Sequence, residues 1–215
     1  VFWISRSTFS LTAFITGASP TTAPVVARMT LAAMEPEVLR ASTSEPIDPA
    51  WISRPEPVTF PAPDSAPAEG AAPGGSREVH AFYYPPTNPH FSAPAGTTPP
   101  LLVLTHGGPT AATEAVLDAE VQFWTSRGFA VLDVNYSGST GYGRDYRDRL
   151  KGQWGIVDVE DAVAGATAMV RAGLALAPEL LALVCASHDG TPVHCAGVEA
   201  VLASATSRMR PMILA

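Results

Sequence analysis

The sequence predicts an α/β protein, with a mostly parallel sheet and flanking helices, preceded by a short segment that contains only strands. Two observations predict this fold class. After residue 98, apolar segments of strand length alternate with amphipathic helical segments, which is the pattern of a parallel sheet. Before residue 98, the apolar segments are short and end at proline or glycine, and 14 of the 21 prolines lie between residues 45 and 100.

The all-β segment contains two predicted hairpins. Residues 9–20, FSLTAFITGASP, predict a strand that ends in a Gly/Pro turn, and residues 23–32, APVVARMTLA, predict its partner. Residues 55–61 and 78–86 predict a second pair of strands on either side of a flexible tip at 61–76, which is rich in proline, glycine and alanine.

The second half alternates three strands with three helices. In chain order these are a strand at 100–109, a helix at 113–127, a strand at 129–136, a helix at 158–172, a strand at 179–187 and a helix at 190–207. Gly128 and Gly173 stop the first two helices, and Asp158, Glu160 and Asp161 complement the dipole of the second. Because ligands bind at the carboxyl ends of parallel strands, we expect the functional site in the loops that follow them.

Composition excludes several classes of function. The net charge is −7 and no cluster of Lys and Arg stands out, which argues against nucleic acid as a partner. No apolar run approaches the roughly 20 residues that span a bilayer, so we expect no membrane partner. The two cysteines, Cys185 and Cys195, are too few for a disulfide framework and favour a reducing compartment, so we expect a cytoplasmic protein.

Three segments of the second half carry a family resemblance. PPLLVLTHGGPT (99–110), RGFAVLDVNYSGSTGYGRDYRDRLKGQWG (127–155) and VDVEDAV (157–163) resemble the prolyl oligopeptidase family of serine peptidases, in its dipeptidyl aminopeptidase and acylaminoacyl-peptidase branch. That family joins a β-propeller to a C-terminal α/β-hydrolase domain. The resemblance implies that residues 1–54 are the end of the propeller with a linker. Residues 55–215 would then be the N-terminal part of a partial α/β-hydrolase fold, and we expect the chain to be truncated within that domain.

The resemblance also implies a function. It predicts a serine-type peptidase that hydrolyses peptide substrates through an acyl-enzyme, with no cofactor and no metal. In α/β-hydrolases the loop after the third strand supplies a backbone N–H to the oxyanion hole, and glycine lets that backbone approach the substrate. Gly107 and Gly108 match this position, and we expect His106 to orient their loop. Three tyrosines either line the cleft or anchor the next loop: Tyr136, Tyr142 and Tyr146.

The family's nucleophile sits in a Gly-x-Ser-x-Gly elbow after the next strand, where this chain reads ALVCASHDG (182–190). Ser187 falls at the nucleophile's position, but Cys185 and Asp189 stand where the family has the two elbow glycines that the sharp turn needs. Ser187, His188 and Asp189 do not form a triad, because three consecutive side chains point in different directions. The family's catalytic Asp and His come from loops further downstream. We therefore expect this chain alone to be inactive.

Alternatives from other classes stay open. A non-catalytic, degenerate hydrolase fragment would act as a binding or interaction module, and its exposed sheet edge would favour self-association. An esterase or lipase is disfavoured by the NYSGSTGYG loop. Four residues of zinc-ligand type have a spacing unlike that of known zinc sites, and we expect no metal there: Cys185, His188, His194 and Cys195.

Overall fold

The structure is a computed structural model of the 215-residue chain. It describes residues 3–7, 10–30, 32, 34–45, 47–63, 75–108, 110–176 and 182–183. Ser187, both cysteines and the predicted helix at 190–207 lie outside the described residues. The strands are β1 (Trp3–Ser7), β2 (Ser10–Ser19), β3 (Thr22–Thr30), β4 (Pro36–Ala41), β5 (Glu56–Pro63), β6 (Ser76–Tyr84), β7 (Leu101–Thr105), β8 (Ala130–Asn135) and β9 (Ala182–Leu183). The helices are α1 (Ala119–Thr125), α2 (Arg144–Asp148) and α3 (Val157–Arg171), with a 3-10 turn at Pro49–Trp51.

The first four strands form an antiparallel meander in the order β1-β2-β3-β4. Its central hairpin confirms the strands predicted at 9–20 and 23–32, which pair around the turn at Pro20 and Thr21. The two outer strands were not predicted. β4 is exposed along its whole length, so it lacks the alternation of apolar and polar residues by which a half-buried strand is recognised.

The other five strands form a mixed sheet in the order β5-β6-β8-β7-β9. β5 and β6 are the second predicted hairpin, and β6 also pairs antiparallel with β8. β7 lies between β8 and β9 and is parallel to both. The carboxyl end of β7 is therefore flanked by the carboxyl ends of two parallel neighbours, the place where α/β sheets bind ligands.

Helices α1 and α3 cover opposite faces of this sheet. The connection from β7 to β8 and the connection from β8 to β9 run in opposite directions across the sheet, so right-handed crossovers place their helices on opposite faces. Alternate strand residues pack accordingly. Val103 and Leu132 belong to the core beneath α3, whereas Leu102 and Val131 belong to the core beneath α1. No helix in the described part of the chain is long and apolar enough to cross a bilayer.

Helix α1 is shorter than predicted. The sequence pattern predicts a helix over 113–127, but α1 has seven residues and begins after Asp118, whose carboxylate accepts two amide hydrogen bonds from the first turn. Thr113 is held outside the helix because its amide donates to Asn135 Oδ1 at 2.8 Å and its hydroxyl donates to the Asp133 carboxylate. These long-range contacts override the local helical pattern.

In the described part of the chain, a backbone hydrogen bond connects the first sheet to the segment between β7 and α1. The amide of Leu117 donates to the carbonyl of Ser19 at 2.8 Å. Ser19 ends β2, and Leu117 directly precedes the residue that caps α1. The first sheet therefore touches the segment that links β7 to α1.

Candidate functional site

The loop after β7 carries the two glycines that the sequence analysis selects. Gly107 is half-buried and Gly108 is exposed. Within the described residues, neither glycine amide has a hydrogen-bond acceptor. A Cβ at Gly108 would lie 3.0 Å from the Thr110 amide nitrogen and 3.2 Å from the Tyr136 hydroxyl oxygen, so a side chain there would force the loop or the tyrosine to shift by a few tenths of an ångström. Unoccupied amides at the end of a central parallel strand can donate to an oxygen atom of a ligand.

His106 connects this loop to the body of the protein. Its ring is buried and stacks on Tyr136, with centroids 4.4 Å apart. Its Nε2 lies 2.6 Å from Ser139 Oγ, and its Nδ1 lies 2.9 Å from the carbonyl oxygen of Gly107. The Tyr136 hydroxyl donates to the His106 carbonyl at 3.3 Å, and burial raises the pKa of Tyr136 to about 12, so this donor is protonated at neutral pH. This geometry fits the expected orienting role of His106.

The turn after β8 supports His106 from the other side. The amide and the hydroxyl of Ser139 both donate to the Tyr136 carbonyl, at 2.9 and 2.7 Å. Gly138 has φ of 116°, in the region that favours glycine, and a Cβ there would lie 2.6 Å from Leu150 Cβ. Close packing and hydrogen bonds together restrict the conformation of this turn.

The buried carboxylate of Asp161 also binds the turn after β8. Asp161 Oδ2 accepts the Ser137 amide at 2.6 Å, and Asp161 Oδ1 accepts Arg77 Nε and Nη2 at 3.0 and 2.8 Å. Arg77 Nη2 also contacts Glu160 Oε2 at 3.0 Å. Burial raises the pKa of Asp161, while hydrogen bonds from Ser137 and the charge of Arg77 act in the opposite direction. Asp161 thus links β6, α3 and the turn after β8.

The tyrosines of the Gly-rich loop serve as anchors. The Tyr146 hydroxyl donates to the Asn135 carbonyl at 2.6 Å, and the Tyr142 hydroxyl accepts from Asn135 Nδ2 at 3.0 Å. The ring of His80 stacks on Tyr142 with centroids 4.2 Å apart. Tyr136 and Tyr146 are buried. Of the two roles that the sequence leaves open for these tyrosines, the structure favours anchoring.

A cavity of about 260 Å³ opens beside the glycine loop, on the α1 face of the sheet. His106 and Thr113 contribute to its wall, together with four acidic residues: Glu114, Asp118, Glu120 and Asp133. Its described lining contains no Lys or Arg, so the charged side chains that line it are all acidic. Among the described residues, no group of three or more His, Cys, Asp or Glu side chains is arranged to hold a metal ion.

The structure brings the three resembling segments into contact. The loop with Gly107 and Gly108 rests on the turn after β8, and Asp161 of VDVEDAV holds that turn. Ser187, the predicted nucleophile counterpart, lies outside the described residues. Arg77 is not predicted from the sequence as part of the site, and Asp161 is predicted only to complement the helix dipole. The signal that could have found Asp161 is its place beside Ala162 and Ala166 on the apolar side of the predicted helix.

Comparisons with known proteins agree with this arrangement. Residues 115–196 match the sequence profile of the prolyl oligopeptidase family. The acylamino-acid-releasing enzyme of Arabidopsis thaliana is 30% identical over 128 residues, which are 60% of this chain and 16% of that protein. The dipeptidyl aminopeptidase BIII of Pseudoxanthomonas mexicana is 44% identical over 55 residues, which are 26% of this chain and 8% of that protein.

A solved structure extends the similarity to most of the chain. A puromycin-hydrolyzing peptidase of Mycobacterium tuberculosis is 42% identical and superimposes with a TM-score of 0.74, over 86% of this chain and 26% of that one. The chain thus spans about a quarter or less of the length of these relatives. The mixed sheet with helices on both faces agrees with the α/β-hydrolase fold of these relatives. Over the parts that these matches cover, the chain is thus similar to members of the prolyl oligopeptidase family.

Proposed function

We propose that this chain carries the oxyanion-binding part of a serine peptidase site, which hydrolyses peptide bonds through an acyl-enzyme. The observation that carries the proposal is the position of Gly107 and Gly108 at the carboxyl end of β7, where their amides have no acceptor among the described residues. When a serine attacks a peptide carbonyl, the carbonyl oxygen becomes an oxyanion, and fixed backbone amides stabilise it. The similarity to the prolyl oligopeptidase family supports this chemistry.

Ser187 is our proposed counterpart of the nucleophile. β9 pairs with β7 so that Ala182 lies opposite Leu102 and Leu183 opposite Val103, a constant offset of 80 residues. The parallel pairing of β9 with β7 supports the proposal, because the nucleophile and the oxyanion donors must face the same carbonyl group.

Cys185 and Asp189 occupy the elbow positions, so we propose that the 215-residue chain does not hydrolyse peptides by itself. We propose further that residues 1–54 are the end of a propeller and its linker, and that residues 55–215 are the N-terminal part of the hydrolase domain. The four-stranded antiparallel meander supports this division, since propeller blades are sheets of that kind.

A chimera tests the oxyanion role. Residues 1–176 of this chain replace the matched part of the puromycin-hydrolyzing peptidase, which supplies the rest of a serine peptidase, and puromycin hydrolysis is measured. We expect the chimera to be active, and Gly108→Ala in it to lower kcat at least about tenfold because the new Cβ displaces the loop. Gly17→Ala is the matched control, since a Cβ there meets no atom within 4 Å. A folded but inactive chimera would refute the proposal.

The second candidate is a non-catalytic binding module, favoured by the loss of the elbow glycines. A fluorophosphonate probe applied to the 215-residue chain separates the two. Labelling that disappears in Ser187→Ala would show that the chain keeps a reactive nucleophile. A folded monomer that takes up no label, combined with an inactive chimera, would establish the binding module.

A further inference from the structure

A continuous path of contacts leads from a buried ion pair to the glycine loop. Asp161 is fully buried and accepts the Ser137 amide at 2.6 Å. Two residues later, Ser139 Oγ lies 2.6 Å from His106 Nε2, and His106 directly precedes Gly107. Each link has a short distance and at least one buried partner, so a shift at one end is transmitted to the other.

The carboxylate is placed to act on the backbone. Its two oxygens have different partners: Oδ1 accepts hydrogen bonds from both Arg77 nitrogens, and Oδ2 accepts the Ser137 amide of the turn. An asparagine of the same size could not reproduce this, since its NH2 group would meet either the Ser137 amide or the Arg77 guanidinium, which are both donors. The charge of Asp161 also strengthens the amide hydrogen bond, as is usual for an ionised acceptor.

We propose that Asp161 is a positioning residue for the oxyanion donors. It fixes the turn after β8, and through Ser139 and His106 it fixes the orientation in which Gly107 and Gly108 present their amides. The inference rests on the proposed function of that loop. Asp161 touches no substrate in this arrangement and acts only through the turn.

The neighbouring residues provide matched controls. Glu160 also pairs with Arg77, at 3.0 Å, and within the described part of the chain no hydrogen bond joins its side chain to the turn. Glu160→Gln therefore removes a charge from the same arginine without loosening the Ser137 amide. Met169 is buried in the core on the same helix, so Met169→Ala destabilises α3 without touching the network.

The test uses backbone NMR of the 215-residue chain with methylphosphonate, a tetrahedral oxyanion, as the probe. In the parent chain we expect the Gly107 and Gly108 amides to have order parameters of a rigid backbone, about 0.85, and to shift on titration with the probe. Asp161→Asn should lower both order parameters below about 0.6 and weaken the probe's affinity at least about fivefold. Ser139→Ala, a smaller change in the same path, should act in the same direction if Asp161→Asn does not fold.

The outcomes separate the two claims. If the parent amides do not respond to methylphosphonate, the proposed function of the loop fails, whereas the order parameters still decide the positioning role. If Asp161→Asn or Ser139→Ala leaves both readouts at parental values, the positioning role is overturned. It is also overturned if Glu160→Gln or Met169→Ala changes the glycine amides as much as Asp161→Asn does, because the effect would then be one of general stability.

Discussion

Two residues hold the turn after β8 by different physical means. Gly138 does so by having no side chain, because Leu150 occupies the space that a Cβ would need. Asp161 does so by placing a charge against the Ser137 amide, in a site that water does not reach. Steric exclusion and a buried acceptor therefore act on neighbouring peptide groups of the turn. Because His106 contacts this turn through Ser139, both effects also restrict the loop that carries Gly107.

His80, in β6, packs against the Gly-rich loop after β8 and allows the effect of burial on its pKa to be tested. Its ring stacks on Tyr142, and its Nε2 lies 3.8 Å from Glu78 Oε1. Burial lowers the pKa of His80 below its ordinary 6.5, with Glu78 acting against this and Arg149 adding to it. The folded state therefore binds the proton less tightly than the unfolded state does. Stability is lost as the pH falls through 6.5 towards the folded-state pKa.

The expected result is a pH-dependent difference between parent and His80→Phe, which keeps the stacked ring but does not titrate. The free energy of unfolding in urea should fall more in the parent than in the variant between about pH 7.5 and about pH 5.5. Tyr142→Phe keeps His80 and should retain the pH dependence of the parent. Parallel curves for parent and His80→Phe would show that the histidine does not contribute.

At the scale of elements, helix α1 begins where its N-cap residue Asp118 lies, and not where the pattern of apolar residues would start it. Asp118 accepts the amides of Glu120 and Val121 at 2.7 and 3.2 Å, which satisfies two donors that a helix end otherwise leaves unpaired. The preceding residues are held by Asn135 and by the first sheet at Ser19. The segment between β7 and α1 is therefore fixed at both ends.

Removing the cap should destabilise the protein by about 1 kcal/mol, because Asp118→Ala leaves those amides without an acceptor. Urea unfolding followed by far-UV circular dichroism measures the change. Glu120→Ala is the control, since Glu120 lies in the same turn but does not cap it, and its effect should stay within about 0.5 kcal/mol. Equal effects of the two substitutions would contradict the capping role.

At the scale of the whole molecule, the two sheets differ in how they protect their outer strands. The edge strand β5 contains Pro57, Pro61 and Pro63. These prolines are separated by even numbers of residues, so the three N–H groups that they lack would all point to the same side of the strand. The edge strand β4 has one proline at its start and exposes the apolar side chains of Val38 and Leu39. An unprotected strand of this kind can pair with another chain.

We therefore expect self-association of the chain through β4 and not through β5. Val38→Lys should weaken self-association at least about tenfold, because a charged side chain on an edge strand opposes pairing. Thr59→Lys places the same charge on β5 as the control and should leave the association constant unchanged. Sedimentation equilibrium measures both, and an equal effect of the two variants, or a parent that stays monomeric, would contradict the prediction.

Much of the fold could be predicted from the sequence because the signals are local. β2, β3 and the β5–β6 hairpin follow from short apolar runs that end at proline or glycine, and β7 and β8 read as buried apolar runs. α3 was predicted to within one residue at each end, since its apolar face and its glycine stop are both local features. The fully exposed β4 offered no such pattern.

What the sequence by itself determined was the order of elements, the parallel core and the glycine loop, all of which depend on residues close together along the chain. The tertiary structure alone decided where α1 begins, that the tyrosines anchor their loop, and that Asp161 supports the loop with Gly107. Those features depend on contacts between distant residues, such as Asp161 with Ser137 and Arg77, 24 and 84 positions away. Local periodicity holds no information about such pairs, because the chain brings them together only when the sheet and α3 pack.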